Sequence, residues 1–320
     1  MRNDILVFSG RSHPALAHAI CAELGVCLGQ SEVIRFSNEN LMVQVHENVR
    51  ESDVFVVQTS SPPVNEHLME LLIFIDALKR ASARRVTAVI PYFFYARSDK
   101  KDKPRISITA RLVADLLEAA GADRVLTMDL HSPQIQGFFK IPVDQLLAMP
   151  RLSEFMRSEK GTSDAVVVAT DAGGAKDAGR LAARLNLDLA IIDKRRYADD
   201  ERARAENLIG EVHGRTAFVV DDEIASGGTL LQAAEILRRQ GAKQVIAAAT
   251  HAVFTGNGPQ NMQESSLQRV VVTDTLPIPP EKQFDKLVTI SVAPLFAEAI
   301  KAIHDGQSVS SLFASRRETG

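Results

Sequence analysis

A glycine-rich loop in the second half of the sequence has the residue types of a phosphate site. An apolar run, Ala217–Val220, leads into two acids, then a short loop, and then a helical pattern that begins at Thr229. Glycines let several backbone N–H groups point at one anion, and the N-terminal end of a helix adds positive charge. The hydroxyls of Ser226 and Thr229 supply further donors, so the loop predicts a phosphate site. Its members are Ala225, Ser226, Gly227, Gly228 and Thr229.

The two acids before this loop, Asp221 and Asp222, must serve another ligand group, because carboxylates repel a phosphate. At the carboxyl end of a strand they are placed to accept hydrogen bonds from sugar hydroxyls. A phosphate beside a vicinal diol is the chemistry of a pentose phosphate. The structural alternative is a tight loop with two solvated acids, but the strand and the helix on either side favour a ligand site.

A second group of residues suits a nucleoside triphosphate. Residues 91–108 read PYFFYARSDKKDKPRISI, where aromatic residues give way to alternating basic and acidic ones. This pattern fits neither a helix nor a strand, and on charge alone a solvated loop is the simpler interpretation. Five cations on one short segment also suit a lid that closes over a triphosphate. They are Arg97, Lys100, Lys101, Lys103 and Arg105.

Three more strand ends carry residues suited to magnesium or to charge neutralisation. Asp129 and His131 follow one apolar run, Asp171 follows another, and the basic run Lys194–Arg196 follows a third. Ligands bind at the carboxyl ends of strands in open α/β sheets. Magnesium takes few protein ligands beside its waters, so we expect His131 and Asp171 to hold Mg²⁺ directly or through water. A lone histidine is more often structural, and a basic run is more often surface decoration.

The elements that must position these residues alternate along the chain. Near-continuously apolar runs are typical of strands buried on both faces, and the helical patterns between them predict an α/β fold with parallel sheets. The predicted strands are Asp53–Gln58, Arg85–Ile90, Arg124–Met128, Ala165–Ala169, Leu189–Ile192, Ala217–Val220, Gln244–Ala249 and Arg269–Val272. The predicted helices are Asn65–Arg80, Ile108–Ala120, Gly174–Leu185, Thr229–Gln240 and Pro294–His304.

The sequence also repeats a pattern within itself. DVFVVQ…LMELLIFIDALKRASARRVTAVI is similar to TAFVVDD…TLLQAAEILRRQGAKQVIAAA, which lies roughly 160 residues further on. Each copy has the order strand, loop, helix, turn, strand, so we expect two similar α/β domains. The prolines near residues 141–153 suggest domains at 1–147 and 148–320, a division in which the last helix can pack back on the first domain.

Composition excludes several classes of protein. The net charge of −3 and the pI of about 6.3 do not suggest a nucleic-acid partner. No apolar stretch approaches the roughly 18 residues of a membrane span. Cys21 and Cys27 follow no signal-peptide pattern, which favours free thiols and a cytoplasmic location.

Seven motifs occur in the order typical of one family: ENVR, LMELL, VTAVIPYFFYAR, DLHSPQIQGFF, IIDKRR, GGTL and SVSSLF. The phosphate loop resembles that of the phosphoribosyltransferase fold. The whole set resembles the ribose-phosphate diphosphokinase (PRPP synthetase) family over nearly the whole chain. The histidine segment joined to QIQGFF is typical of the synthetases rather than of the transferases.

The resemblance implies transfer of the β,γ-diphosphate of ATP to the C1 hydroxyl of ribose 5-phosphate, with Mg²⁺ as cofactor and no covalent intermediate. It implies a homohexamer, often regulated by phosphate and ADP, whose lid closes over ATP. The implied ATP-binding residues are Phe36, Asn38, Glu39, Asn40, Arg97, Ser98, Lys100, Lys101 and His131. Ribose 5-phosphate would be bound by Arg196, Asp221, Asp222 and residues 225–229, with Lys194 and Arg196 as the catalytic cations and His131 and Asp171 as the metal ligands.

The chain departs from the usual pattern of the family at several positions. Asn38 and Asn40 stand where acids are more usual, which leaves the preferred triphosphate open, and Ser98 replaces a common glutamine. Ala225-Ser226 replaces a common Asp-Thr pair, and Lys176-Asp177 replaces a basic pairing. Two alternatives remain at this point, a phosphoribosyltransferase and a non-catalytic regulatory protein of the same fold.

Overall fold

The computed structural model describes residues 4–159, 162, 164–196 and 204–312, and for residues 194–196 and 204–206 it describes the backbone alone. The chain divides into two compact units. Unit 1 contains the described residues of Met1–Leu147, Thr275–Pro277 and Val292–Gly320, and unit 2 contains those of Ala148–Asp274 and Ile278–Ser291. The predicted α/β class with mostly parallel sheets is confirmed.

Unit 1 is built on a parallel sheet of strands β1 (Ile5–Ser9), β4 (Asp53–Val57), β5 (Arg85–Ile90), β6 (Arg124–Met128) and β7 (Val143–Leu146), in that order. Strands β2 (Ser31–Arg35) and β3 (Leu41–Val45) form a separate antiparallel hairpin. Its helices are α1 (Pro14–Leu24), α2 (Val64–Arg80), α3 (Thr109–Ala120) and α8 (Ala293–His304), with a 3₁₀ turn at Pro133–Phe138 and another at Val309–Leu312.

Unit 2 contains strands β8 (Ala165–Ala169), β9 (Asp188–Arg196), β10 (Arg204–Ile209), β11 (Thr216–Ile224), β12 (Gln244–Ala252), β13 (Arg269–Thr273) and β14 (Leu287–Ile290). Their order is β10-β9-β8-β11-β12-β13-β14, and β10 pairs antiparallel to β9 in an otherwise parallel sheet. The helices are α4 (Met149–Ser158), α5 (Ala175–Leu185), α6 (Gly228–Arg239) and α7 (Gly258–Glu264), with a 3₁₀ turn at Pro280–Lys282.

The cores explain why the apolar runs form these strands. All residues of β4 and β8 are buried, as expected for strands covered on both faces. In unit 1, Phe74 on α2 packs against Phe8 on β1 with 5.8 Å between ring centroids. Burying each such side chain contributes about 1.5–3 kcal/mol. The rigid sheets therefore fix the positions of the loops that follow their strands.

Two site segments lie inside strands, whereas the sequence placed them just after strands. Strand β11 continues beyond Val220 to Ile224, because β12 still pairs with it after β8 has ended at Ala169. Asp221 and Asp222 are therefore in the strand, with β12 on one side only. Likewise Lys194–Arg196 belong to β9, because the chain returns antiparallel as β10, a charged strand that the sequence analysis missed.

Cys21 is buried and Cys27 is exposed, and both are free thiols. Among the helices of the described ranges, none is both long enough and apolar enough to cross a membrane.

Candidate active site

The loop after β11 presents a row of backbone donors. Gly227 has φ of +79° and immediately precedes α6, and the first bond of that helix runs from Leu231 N to Gly227 O over 2.9 Å. Within the described part of the chain, the N–H groups of residues 225–229 have no protein acceptor. Ser226, Gly228 and Thr229 are exposed. Unpaired N–H groups at the N-terminus of a helix form an anion site, as the sequence predicts for this loop.

The segment after β12 holds this loop in place. The carbonyl oxygens of Ile224 and Ala225 accept hydrogen bonds from Phe254 N (2.9 Å) and Thr255 N (3.0 Å). Gly258 lies so close that a Cβ atom there would be 3.0 Å from Ser226 O. A side chain at this position would therefore displace the phosphate loop.

The paired acids of β11 share a partly buried environment. Asp221 Oδ1 accepts from Asp222 N at 2.9 Å, and Thr170 Oγ1 lies 3.5 Å from Asp221 Oδ2. Burial raises the pKa of Asp221 to about 7, and its hydrogen bond with the Asp222 side chain and the charge of Asp222 act in the same direction. Near neutral pH this carboxyl group is able both to donate and to accept a hydrogen bond, which suits a sugar hydroxyl.

Asp171 begins the turn between β8 and α5 and is exposed. Its Oδ1 accepts from Gly174 N at 2.9 Å, and this bond fixes the direction of the carboxylate. Across the described residues, no group of three or more His, Cys, Asp or Glu side chains is placed to hold a metal ion. One oriented carboxylate nevertheless fits Mg²⁺ that is bound mainly by phosphate oxygens and water.

The basic run of β9 is described through its backbone only. Lys194 pairs with Glu206 and Arg196 with Arg204 across the antiparallel ladder. The predicted roles of Lys194 and Arg196 concern side chains that lie outside the described residues.

In unit 1, the cationic segment joins β5 to α3 with neither helix nor strand in residues 91–108. Phe93 and Phe94 are buried and anchor its first part. Every residue from Lys100 to Ser107 is exposed, and so is Arg97, so the predicted cations are accessible. His131, after β6, is exposed as well. It belongs to unit 1 and Asp171 to unit 2.

Ser98 has a structural partner that the sequence analysis did not anticipate. Its Oγ accepts from Thr109 N (3.2 Å) and its carbonyl oxygen accepts from Ala110 N (3.1 Å). These bonds satisfy the first N–H groups of α3, which a helix cannot satisfy internally. Ser98 therefore ties the cationic segment to the start of α3.

The turn between β2 and β3 carries the residues assigned to the base of the nucleotide. Phe36 N donates to Asn40 O and Glu39 N donates to Phe36 O, each at 2.9 Å. The Phe36 side chain is 46% exposed, and residues 37–40 are exposed. An exposed aromatic ring beside amide groups is suited to stack on a base and to bond with its edge.

Comparison with known proteins identifies the family. One family profile, described as the N-terminal domain of ribose phosphate pyrophosphokinase, matches residues 5–121, and another, described as the phosphoribosyl synthetase-associated domain, matches residues 200–314. The ribose-phosphate pyrophosphokinase of Deinococcus radiodurans is 52% identical over 316 residues, which cover 98% of each chain. The chain belongs to the ribose-phosphate pyrophosphokinase family. The same enzyme name is carried by a relative in Caldanaerobacter subterraneus subsp. tengcongensis, 52% identical over 97% of this chain and 98% of the relative.

A solved structure agrees with this family membership. The crystal structure of phosphoribosylpyrophosphate synthetase from Mycobacterium smegmatis superposes with a TM-score of 0.89 at 43% identity, covering 95% of this chain and all of the other. The family resemblance and the fold expected from the motifs are thereby confirmed. The chain is an enzyme of the pyrophosphokinase class.

Sequence reasoning missed two residues that shape the surroundings of Asp221 and of the loop at residues 225–229. Thr170 is buried and its hydroxyl approaches Asp221, and Gly258 makes the close contact with the phosphate loop. Thr170 could have been found from its place directly before Asp171 at a strand end. Gly258 carries no local signal, because its role depends on a loop some 30 residues earlier in the chain.

Proposed function

We propose that the chain transfers the β,γ-diphosphate of ATP to the C1 hydroxyl of ribose 5-phosphate, giving 5-phosphoribosyl 1-diphosphate and AMP in a Mg²⁺-dependent reaction. The observation that carries this proposal is the row of unpaired backbone donors at residues 225–229 beside the carboxyl pair of β11. Identity of 52% to named pyrophosphokinases over almost the full length supports it.

The sugar phosphate is bound by unit 2 in this proposal. The N–H groups of residues 225–229 and the hydroxyls of Ser226 and Thr229 bind the 5-phosphate. Asp221 and Asp222 bond with the ribose hydroxyls. The raised pKa of Asp221 supports this role, since its carboxyl group is partly protonated near neutral pH.

The nucleotide is bound mainly by residues of unit 1. Phe36, Asn38, Glu39 and Asn40 contact the base, and the exposed ring of Phe36 supports that assignment. Ser98 and the exposed cations Arg97, Lys100 and Lys101 bind the phosphates, with His131 at the metal–nucleotide complex. The accessibility of residues 100–107 supports a segment that closes over the triphosphate.

The reaction depends mainly on how the reacting groups are placed and on how the charge of the phosphates is neutralised. The C1 oxygen attacks the β-phosphorus, the bond from that phosphorus to the oxygen shared with the α-phosphate breaks, and AMP leaves. Such transfers depend on positioning and on neutralising the oxygens of the transferred group. Lys194 and Arg196 supply cations for this, and Asp171 and His131 are the residues that would hold Mg²⁺. When bound, Mg²⁺ would supply positive charge that offsets the negative charge of the phosphate oxygens.

We further propose that the active form is a homo-oligomer, with the hexamer as the form that the family resemblance implies. Helix α3 supports self-association, because it has a second apolar stripe on its outer side. Leu112 is 52% and Leu116 is 38% exposed, and Ala119 continues the stripe. The cytoplasmic location expected from the sequence stays a prediction.

The decisive experiment is detection of the product. Purified full-length protein is incubated with ATP, ribose 5-phosphate and Mg²⁺, and 5-phosphoribosyl 1-diphosphate and AMP are followed by mass spectrometry and chromatography. We expect both products in equal amounts, and neither when Mg²⁺ is chelated or ribose 5-phosphate is omitted. ADP as the nucleotide product, or consumption of 5-phosphoribosyl 1-diphosphate with a nucleobase in place of its formation, would contradict the proposal.

A further inference from the structure

We propose that the turn between β2 and β3 presents an N–H donor to the base of the nucleotide, so that the enzyme uses purine triphosphates with an oxygen at position 6, such as GTP, as well as ATP. This inference deepens the proposed function and rests on it, because it assumes that the turn contacts the base.

Asn38 has a defined orientation within this turn. Its Oδ1 lies 3.2 Å from Asn40 N and accepts a hydrogen bond from it. Because a backbone N–H group only donates, the side-chain atom that faces it must be the oxygen. The Nδ2 group therefore lies on the other side of the amide. In the part of the chain that the structure describes, Nδ2 has no hydrogen-bond partner.

The one carboxylate of the turn is paired with a cation. Glu39 is the one acid among residues 36–40, and its Oε1 accepts from Arg35 Nη2 at 3.1 Å. Glu39 has φ of +68°, and this left-handed residue allows the tight return of the chain to Asn40. Apart from this ion pair, the outer groups of the turn are the Phe36 ring and the amides of Asn38 and Asn40.

An amide donor and a carboxylate select different base edges. Guanine presents the acceptors O6 and N7 on one edge, whereas adenine presents its N6 amino group as a donor beside N7. A carboxylate at position 38 would accept from the N6 amino group and repel O6. The Nδ2 group of Asn38 bonds with O6 or N7 of guanine and with N7 of adenine, while stacking on Phe36 tolerates either base.

The group transfer is the same with either nucleotide. The bond from the ribose C1 oxygen to the β-phosphorus forms, and the bond from that phosphorus to the oxygen shared with the α-phosphate breaks. The leaving nucleoside monophosphate keeps the electron pair, and the proton of the C1 hydroxyl passes to solvent.

The test measures kcat/KM of the full-length protein with ATP, GTP and ITP at saturating ribose 5-phosphate and Mg²⁺. We expect the values for GTP and ITP to lie within about tenfold of that for ATP. Asn38→Asp keeps an oxygen for Asn40 N and exchanges the outer donor for an acceptor. This substitution should raise the ratio of kcat/KM for ATP to kcat/KM for GTP by about 10- to 100-fold, which is the range of discrimination that one base-edge contact supplies.

A matched control separates this effect from charge alone. Ser37→Asp adds the same negative charge at the neighbouring exposed position, and it should leave the ATP-to-GTP ratio within about twofold of the wild type. If the enzyme turns over ATP but its kcat/KM for GTP and ITP is more than about tenfold lower, the inference is overturned and the proposed function stands. An unchanged ratio in Asn38→Asp also overturns it. Absence of turnover with every triphosphate overturns the proposed function and this inference together.

Discussion

Asp221 lies just past the point where β11 loses its pairing with β8, and its carboxyl group is partly buried beside Asp222. The carboxyl group keeps its place in the strand although its ionised form is disfavoured there. In a binding site this arrangement is useful, because a carboxyl group that titrates near neutrality can exchange hydrogen-bonding roles with a sugar hydroxyl.

The stability of the protein should therefore fall as the pH rises from about 4 to about 7, because the unfolded chain releases the proton of this carboxyl group before the folded chain does. Its pKa is raised in the folded chain from 3.8 to about 7, so the stabilising contribution is complete below about pH 4 and is lost as the pH rises through 7. Asp221→Asn cannot ionise, so its free energy of unfolding relative to wild type should be roughly 2 kcal/mol higher at pH 8 than at pH 5.

Urea unfolding of both proteins at the two pH values measures this difference. The comparison at pH 5 serves as the reference, since it contains every pH-independent effect of the substitution and only the early part of the loss that begins near pH 4. The same wild-type-to-variant difference at both pH values would show that Asp221 does not titrate in this range.

At the scale of one element, the phosphate loop depends on a left-handed residue directly before α6. Gly227 has φ of +79°, and an added Cβ atom would lie 3.4 Å from the Met262 side chain. An L-residue in this conformation costs about 1–2 kcal/mol. Gly227→Ala should therefore distort the loop and raise KM for ribose 5-phosphate about tenfold.

Gly228→Ala is the matched control in the next position. Gly228 has no positive φ, and the nearest atom to its added Cβ, Ser226 Oγ, lies at an ordinary 3.7 Å. It is the first residue of α6, where alanine is the better helix former. The KM for ribose 5-phosphate should be higher in Gly227→Ala than in Gly228→Ala. Equal KM values would mean that the loop does not need the left-handed residue.

Elements with a strong apolar pattern could be predicted from the sequence, and those defined by pairing could not. The helix at residues 229–240 was predicted within one residue of α6, because its apolar spacing is clear. Strand β10, with the sequence RAENLI, has no such pattern and is a strand because β9 pairs with it. Asp221 and Asp222 were placed after a strand for the same reason, since the apolar run ends at Val220 while the pairing with β12 continues.

The site could be predicted wherever its residues are neighbours in sequence. Residues 225–229 form one loop, so their types alone indicated a phosphate site. The contact of Gly258 with that loop, and the cap that Ser98 gives to α3, depend on how distant segments pack. The proposed pairing of His131 with Asp171 joins residues of different units, and contiguity in sequence carries no information about it.

At the scale of the whole molecule, an ionic cluster around a buried carboxylate holds the C-terminal helix α8 against the sheet of unit 1. Asp53 is fully buried, and it accepts from Arg85 Nε at 2.8 Å while His304 Nδ1 lies 2.9 Å from its Oδ2. Arg85 also donates to Ile303 O at 3.0 Å. The Asp53 carboxylate therefore bonds with residues from both ends of the sequence, and the position of α8 depends on this carboxylate.

Asp53→Asn should loosen α8, because the amide presents N–H groups to donors and leaves Arg85 without its buried counter-ion. The expected cost is about 3 kcal/mol, and hydrogen exchange in residues 293–304 should become about 100-fold faster. Asp76→Asn breaks an exposed pair on α2, where the partner Arg80 is 79% exposed, and should change this exchange very little. Equal protection of α8 in the two variants would contradict the proposed tie.

The exposed apolar stripe of α3 is expected to take part in self-association. Its buried side already packs on the core through Val113 and Leu117, so Leu112 and Leu116 add a second apolar face that the monomer does not need. A partner that covers this face would remove apolar surface from water. Leu112→Glu/Leu116→Glu would place two charges in that contact and should weaken self-association at least 100-fold, about 3 kcal/mol.

Sedimentation velocity across a range of protein concentrations measures this association. Ile209→Glu is the control, because Ile209 is 58% exposed on β10 in unit 2, so it adds a similar charge at an exposed apolar position away from α3. We expect the control to keep the wild-type mass and the α3 variant to sediment as smaller species, with unchanged circular dichroism in both. A variant that keeps the wild-type mass would exclude α3 from the interface. A wild-type protein that is monomeric at micromolar concentration would exclude the oligomer itself.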